Sequence, residues 1–325
     1  MITLLIFFAL LFFLKLERKD NLPYFPKELA TFLKGLLPVF ILIHHSKCFQ
    51  DFTLVGEYVV GLFFFISGFG LESSRKGTKN NFMALLHRLN RLFIPLIVPC
   101  IIYITLLLYL GRFRLDDLIG YKVILPYTWF IVSLLIMYIL YYSVTVACKE
   151  PLMVCIVMTI VIVAMIGALT FLKVSSTYRV SSLAFLAGIY AFNTKSILMR
   201  CINGKYFRYI CLFIFAFTTL FAILDKGSSA YILIPLWCLC VVSGLCGSGL
   251  KFSIKPLGKF LSKISYEFYI SQGITVLLVN KILNISEIYR GGYLLALLSL
   301  NLIIAILCNY STNKIHQSII NLVKK

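Results

Sequence analysis

The sequence predicts an all-α fold, a polytopic membrane helix bundle of about ten core transmembrane helices with an extra hydrophobic anchor at its N-terminus. Three observations carry that reading. The 325-residue chain is 61% apolar and only 13% charged, with a mean hydropathy of +0.96. Soluble domains hold about 45–50% apolar and about 25% charged residues. Apolar runs long enough to cross a hydrocarbon core of about 30 Å recur along the whole chain, and the basic residues gather in the short polar stretches between them.

The apolar segments fall at residues 1–14, 29–46, 53–72, 92–110, 124–147, 151–172, 180–192, 207–224, 230–250, 264–282 and 292–310. They are continuous, whereas barrel strands alternate apolar and polar residues over about ten positions; helices are therefore expected. The first segment, MITLLIFFALLFFLK, is short for a crossing. It lacks the basic start and small-residue cleavage site of a signal peptide and reads as an uncleaved anchor. Segment 180–192 is also short and reads as tilted or broken. With the loop at 15–28 in the cytoplasm and the helices alternating, cytoplasmic loops carry 21 of the 31 Lys and Arg residues and the opposite loops 9. This is the positive-inside bias, and it puts the C-terminus in the cytoplasm of a multi-pass cell-membrane protein. The expected division is an anchor and cytoplasmic loop over 1–27, a membrane domain over 28–312 and a basic tail over 313–325.

The formal net charge is +19. In a soluble protein that excess would point to nucleic acid. Here topology and contact with anionic lipid account for it, so membrane lipids are the expected partners and nucleic acid is not. Most of the ten cysteines lie inside apolar runs, among them Cys100, Cys155, Cys211, Cys238, Cys240 and Cys308, where cysteine behaves as a small hydrophobe. No C-x-x-C pair and no Cys/His cluster at ligand spacing occurs, so neither a disulfide framework nor a metal site is expected.

Ionisable residues inside spans are costly and mark function. The second segment contains Lys34, His44 and His45. Lys34 and His45 are eleven positions apart, which at about 100° per residue is about 20° past three full turns, with a rise of about 16.5 Å. One helix face thus carries a cation near the cytoplasmic end and an imidazole past mid-membrane, while His44 points about 80° away. Histidine takes and returns a hydroxyl proton readily, because its unperturbed pKa is near 6.5. The plainer alternative is a histidine pair at the outer interface.

Further along, Gly68 and Gly70 with Ser67 would let helices approach closely. Glu57 and Glu72 bracket that helix, and Glu57 lies on the same side of the membrane as His45, to orient it or simply to meet solvent. The next loop holds Arg75, Arg88 and Arg91. The last two share a face at the cytoplasmic surface, where guanidinium forks suit the phosphates of a donor such as coenzyme A; membrane anchoring alone would also place them there. Trp129 reads as an interfacial aromatic anchor. Glu267 begins a late span and needs a partner or water if it faces inward.

In this order, the pieces resemble the acyltransferase-3 family of multi-pass membrane enzymes. The family's basic residue, ten intervening residues and histidine match Lys34 to His45. Its F-F-x-x-S-G-F element matches Phe63–Phe69 with one residue of slack, its R-x-x-R-x-x-x-P element Arg88 to Pro95, its W-F element Trp129–Ile131, and its late S-Y-x-x-Y element Ser265–Tyr269. The resemblance covers residues 28–310. Lys34 departs from the commoner arginine, and Gln272 stands where a late histidine often occurs.

The resemblance implies transfer of an acyl group, most often acetyl, from acetyl-CoA or another acyl-CoA to a hydroxyl of a cell-surface carbohydrate or its lipid-linked precursor, as in polysaccharide O-acetylation. The acyl-CoA is a co-substrate; no permanently bound cofactor is expected. In that scheme His45 is general base or transient acyl carrier, and Lys34, Arg88, Arg91 and Arg75 bind the donor. Glu57 or Glu267 orients the acceptor or polarises the histidine. Because the basic cluster is cytoplasmic and His45 lies in the outer half, either the pantetheine arm reaches up into a hollow bundle or acyl groups pass across the membrane. Two other readings remain at this point, a transporter or flippase for a lipid-linked saccharide and a membrane subunit without chemistry.

Overall fold

The computed structural model describes residues 24–46, 55–75, 81–113, 125–127, 129–204, 206–224, 230–247, 256–283 and 290–323. The segment at 1–14 expected as an anchor lies outside them. Every regular element among the described residues is helical. In chain order they are α1 (Lys27–Ser46), α2 (Val55–Arg75), α3 (Asn81–Phe93), α4 (Ile97–Tyr109), α5 (Trp129–Ala147), α6 (Pro151–Phe171), α7 (Thr177–Val180), α8 (Ser182–Asn193), α9 (Lys195–Ile202), α10 (Phe207–Leu224), α11 (Ala230–Gly247), α12 (Pro256–Lys263), α13 (Ser265–Ile270), α14 (Gln272–Lys281) and α15 (Arg290–Val323).

Among the described residues, five helices are long and apolar enough to cross a membrane: 27–46, 81–109 (α3 and α4 joined by one 3-10 turn), 129–147, 151–171 and 291–318. The pair 177–193 and 195–202, bent by 81°, makes a sixth if it counts as one span. That break falls at Thr194, just past the segment 180–192, whose sequence is short for a straight crossing. Shorter apolar helices follow at 209–221 and 232–246. Large apolar side chains cover the outside: Leu152, Ile160 and Val163 on α6, Phe213 and Phe217 on α10, Ile101 and Leu108 on α4. In water, apolar patches of that extent would drive association; in lipid they are the expected exterior of a multi-pass membrane protein.

The interior is built around α2. Its Phe64 and Phe65 are buried with Phe185 of α8, Tyr141 of α5 and Trp237 of α11. A Cβ at Gly68 would lie 2.1 Å from the Phe185 carbonyl oxygen, and one at Gly188 would lie 2.1 Å from that of Phe65. The two glycines therefore let α2 and α8 touch backbone to backbone. Gly70 does not share this role, because nothing lies within 4 Å of its added Cβ. Two residues along a helix is about 200°, so Gly70 faces away from the seam that Gly68 occupies.

Contacts between element ends sort the bundle into two poles. At one, Tyr127 meets His45, Gly56 meets His44, and Trp129 meets Tyr178. At the other, Arg88 meets Ser74, Arg75 meets Lys149, and the backbone of Phe25 meets Cys246. Two expected spans differ from their sequence outline. The segment 264–282 is broken at Ser271, where Gln272 turns inward and donates to the Pro38 carbonyl at 2.8 Å. The last helix continues past 310 to Val323, through the stretch that hydropathy assigned to a tail.

Candidate active site

His45 ends α1, half-buried. The Tyr127 ring stacks on its imidazole with centroids 3.7 Å apart and planes 18° from parallel. The neighbouring His44 ring lies 5.0 Å away, tilted by 60°, and packs over Gly56, where a Cβ would come within 2.7 Å of it. The two histidines thus have different surroundings, as the offset of about 100° between neighbouring helix positions requires: His44 is seated on the start of α2, and His45 faces the aromatic loop before α5.

Tyr127 reaches that position through an unusual backbone. Its φ is +66°, a left-handed conformation that costs a non-glycine residue about 1–3 kcal/mol. The strain is held from α13 and α14. The Tyr269 hydroxyl donates to the Tyr127 carbonyl at 2.5 Å, and Gly273 presses so close to Pro126 that a Cβ would sit 2.9 Å from its ring. Phe130 closes the corner, edge-on to Tyr269 at 4.6 Å. Burial raises the Tyr127 phenol above its ordinary range, so the ring that covers His45 is neutral. Sequence reading passed over Tyr127; Pro126 beside the aromatic run Tyr127–Phe130 was the only local signal.

About three turns down α1, Lys34 keeps an accessible side chain although protein surrounds it. A group both accessible and deep lies in a crevice. Gly35 beside it lets α12 approach, with the Ser262 backbone nitrogen 3.1 Å from the position of a Cβ. Lys34 shares the crevice with Arg88 and Arg91, whose charges act on it. Arg88 is held by neutral groups: Nε donates to the Tyr142 hydroxyl at 3.0 Å and Nη2 to the Ser74 hydroxyl at 2.8 Å, and the guanidinium lies 5.8 Å from the Tyr138 ring centroid. Among the described residues no carboxylate pairs with Lys34, Arg88 or Arg91. Three cations near one another concentrate positive charge at this end of the bundle.

The other candidates stand apart. Arg75 donates from Nε to Glu72 at 2.9 Å and from Nη1 to the Lys149 carbonyl at 2.8 Å. The Glu72 carboxylate, 1% exposed, also accepts from the Tyr141 hydroxyl at 2.7 Å. The Arg75 charge is thus balanced inside the protein. Glu57 is half-buried one residue after Gly56. Glu267 is buried and accepts from Asn309 of α15 at 3.1 Å. Among the described residues neither glutamate bonds to His45. His, Cys, Asp and Glu side chains form no group of three or more suited to a metal ion among the described residues.

A family model described as an acyltransferase domain, that of the acyltransferase-3 family, matches residues 30–310. Curated proteins and solved structures yield no match.

Proposed function

Because the chain belongs to the acyltransferase-3 family, we propose that this membrane acyltransferase moves an acyl group, most often acetyl, from acyl-CoA to a hydroxyl of a cell-surface carbohydrate or its lipid-linked precursor. One observation carries the donor assignment: the charges of Arg88 and Arg91 act on Lys34, and among the described residues no carboxylate pairs with any of the three. A nucleotide with several phosphates supplies the missing negative charge. Lys34 and His45 belong to one helix and lie about 16.5 Å apart along it, a separation that a long, thin pantetheine arm suits better than a compact donor. The donor's phosphates fall to these three cations, and Arg75 serves the Glu72 pair at the rim.

In this scheme His45 accepts the proton of the acceptor hydroxyl as its oxygen attacks the thioester carbonyl. The tetrahedral intermediate then expels the coenzyme A thiolate, which takes the proton back from the imidazolium. An ester and a free thiol result, and the histidine returns to its starting state. Tyr127 holds the imidazole plane during both transfers. About ten crossings, with His45 toward the outer face and the C-terminus in the cytoplasm, belong to the same proposal, and the basic-residue bias supports that orientation.

The test is transfer of label from radiolabelled acetyl-CoA into the membrane and surface-glycan fractions, comparing the natural protein with His45→Ala and His44→Ala. Label lost in His45→Ala at normal membrane levels, with a smaller loss in His44→Ala, is the expected result. Equal labelling in all three removes His45 from the chemistry. No labelling even by the natural protein with acetyl- and succinyl-CoA overturns the acyl-CoA reading.

A further inference from the structure

At the pole of the cationic crevice, α3 and α15 line an open cavity of about 150 Å³. Its polar lining is His87, Asn90, Arg91, Thr312, Asn313 and His316. All six can donate hydrogen bonds and none is a carboxylate. The nearest acid along this route, Glu267, is separated from the cavity by Asn309, which donates to it and in turn accepts from Asn313 at 3.1 Å. Thr312 is buried at 9% exposure, and its hydroxyl has no partner among the described residues. A buried hydroxyl facing a cavity without a partner costs free energy unless a ligand satisfies it.

The height of this cavity identifies the ligand. Helix α3 is amphipathic up to Arg91, with His87, Arg88, Asn90 and Arg91 as its last polar residues, and the chain is apolar from Leu92 onward; α15 is mainly apolar up to Cys308 and gains most of its polar residues from Asn309 onward. Both helices therefore change character at the cavity, which is where a membrane helix meets the headgroup layer. Toward the membrane interior the same helices expose large apolar side chains, Phe93 and Ile97 leading into α4, and Ile303 and Leu307 on α15. A molecule with a phosphate in the cavity and hydrocarbon along those side chains satisfies both.

We propose that the α3–α15 cavity binds the phosphate of an anionic membrane phospholipid, with Arg91 as the charge partner, Thr312 and the two imidazoles as further donors, and the acyl chains along α4 and the inner part of α15. The site shares Arg91 with the proposed donor crevice and so adjoins it, while its α15 residues Thr312, Asn313 and His316 take no part in that crevice and allow the two to be told apart. A bound lipid would pin the end of the long last helix to α3, the helix that supplies Arg88 and Arg91.

The test is native mass spectrometry of the purified full chain in detergent, titrated with phosphatidylglycerol, with phosphatidylcholine of the same acyl chains, and with free coenzyme A. The natural protein is compared with Thr312→Val and with Thr312→Val/His316→Ala. Valine keeps the shape of threonine and removes only the unpartnered hydroxyl, so that variant folds wherever the hydroxyl serves a ligand alone. The expected result is preferential retention of phosphatidylglycerol by the natural protein, with affinity about tenfold lower in the double variant and partly lower in Thr312→Val, and coenzyme A binding unchanged. Equal phosphatidylglycerol binding in all three proteins overturns the proposal. So does loss of coenzyme A binding with lipid binding intact, which would give the cavity to the donor while leaving acyl transfer standing.

Discussion

The Tyr127 ring lies flat on the His45 imidazole, 3.7 Å between centroids, and it does so from a backbone at φ +66°. A stacked plane fixes the direction of both ring nitrogens, while strain in the supporting residue is tolerated because Tyr269 and Pro126 hold the loop. Replacing Tyr127 by glycine relieves the strain and removes the ring. These effects on stability oppose one another, so the melting temperature should change little. Transfer should fall by about 10- to 100-fold in kcat, the scale of a misplaced catalytic group. Tyr127→Phe keeps the ring and should keep the rate. A fall in melting temperature that tracks the fall in kcat across both variants would reduce Tyr127 to packing.

Lys34 sits among Arg88 and Arg91 without a paired carboxylate, so its charge opposes the resting fold and is useful only when a polyanion arrives. Lys34→Met should therefore raise thermal stability in the absence of donor. The same variant should raise KM for acetyl-CoA about tenfold or more, since a charge-assisted contact is worth about 1.5–3 kcal/mol. Steady-state kinetics and a thermal melt on one preparation check both signs. Lower stability with unchanged KM would show that Lys34 is a structural residue.

Legibility in the sequence followed distance along the chain. The relation between Lys34 and His45 was readable because both lie on one helix, where spacing sets angle, and the structure keeps them on the single helix 27–46 despite Pro38. The apolar runs gave the helices, because each run is its own local signal. Tyr127 was not readable: its role depends on a left-handed backbone held by Tyr269, 142 residues away. Nor was the bond from Tyr141 to Glu72, across 69 residues. The break at Ser271 was hidden because its freed polar groups are met by other helices. Asn301 of α15 accepts from Ser271 and Thr275 and donates to the Phe268 carbonyl, so no glycine or proline was needed to mark it.

The Glu72–Arg75 pair separates stability from donor binding. Glu72 is 1% exposed, and its carboxylate accepts from Arg75 and from the Tyr141 hydroxyl. Arg75→Ala strands a buried carboxylate, a change that costs about 3–5 kcal/mol when a buried pair is broken, and expression and melting temperature should fall sharply. Glu72→Gln combined with Arg75→Gln removes both charges and should recover much of the loss. Donor KM in the double variant should match the natural protein. A raised KM there would return Arg75 to the donor site.

Gly68 and Gly70 are two residues apart in one motif, yet they predict opposite outcomes. An alanine Cβ at 68 would meet the Phe185 carbonyl oxygen at 2.1 Å. Because this neighbour is backbone, relief requires α2 and α8 to separate and would undo the reciprocal contact at Gly188. Gly68→Ala should abolish the folded protein or leave it inactive and heat-labile. At 70 the added methyl meets nothing within 4 Å, and alanine is favoured over glycine inside a helix by about 0.8–1 kcal/mol. Gly70→Ala should therefore match or exceed the natural protein in melting temperature and retain its transfer rate. Fluorescence-detected size exclusion after a heat step distinguishes the two variants on small amounts of membrane. Equal tolerance at both positions would mean that α2 and α8 do not meet along this seam.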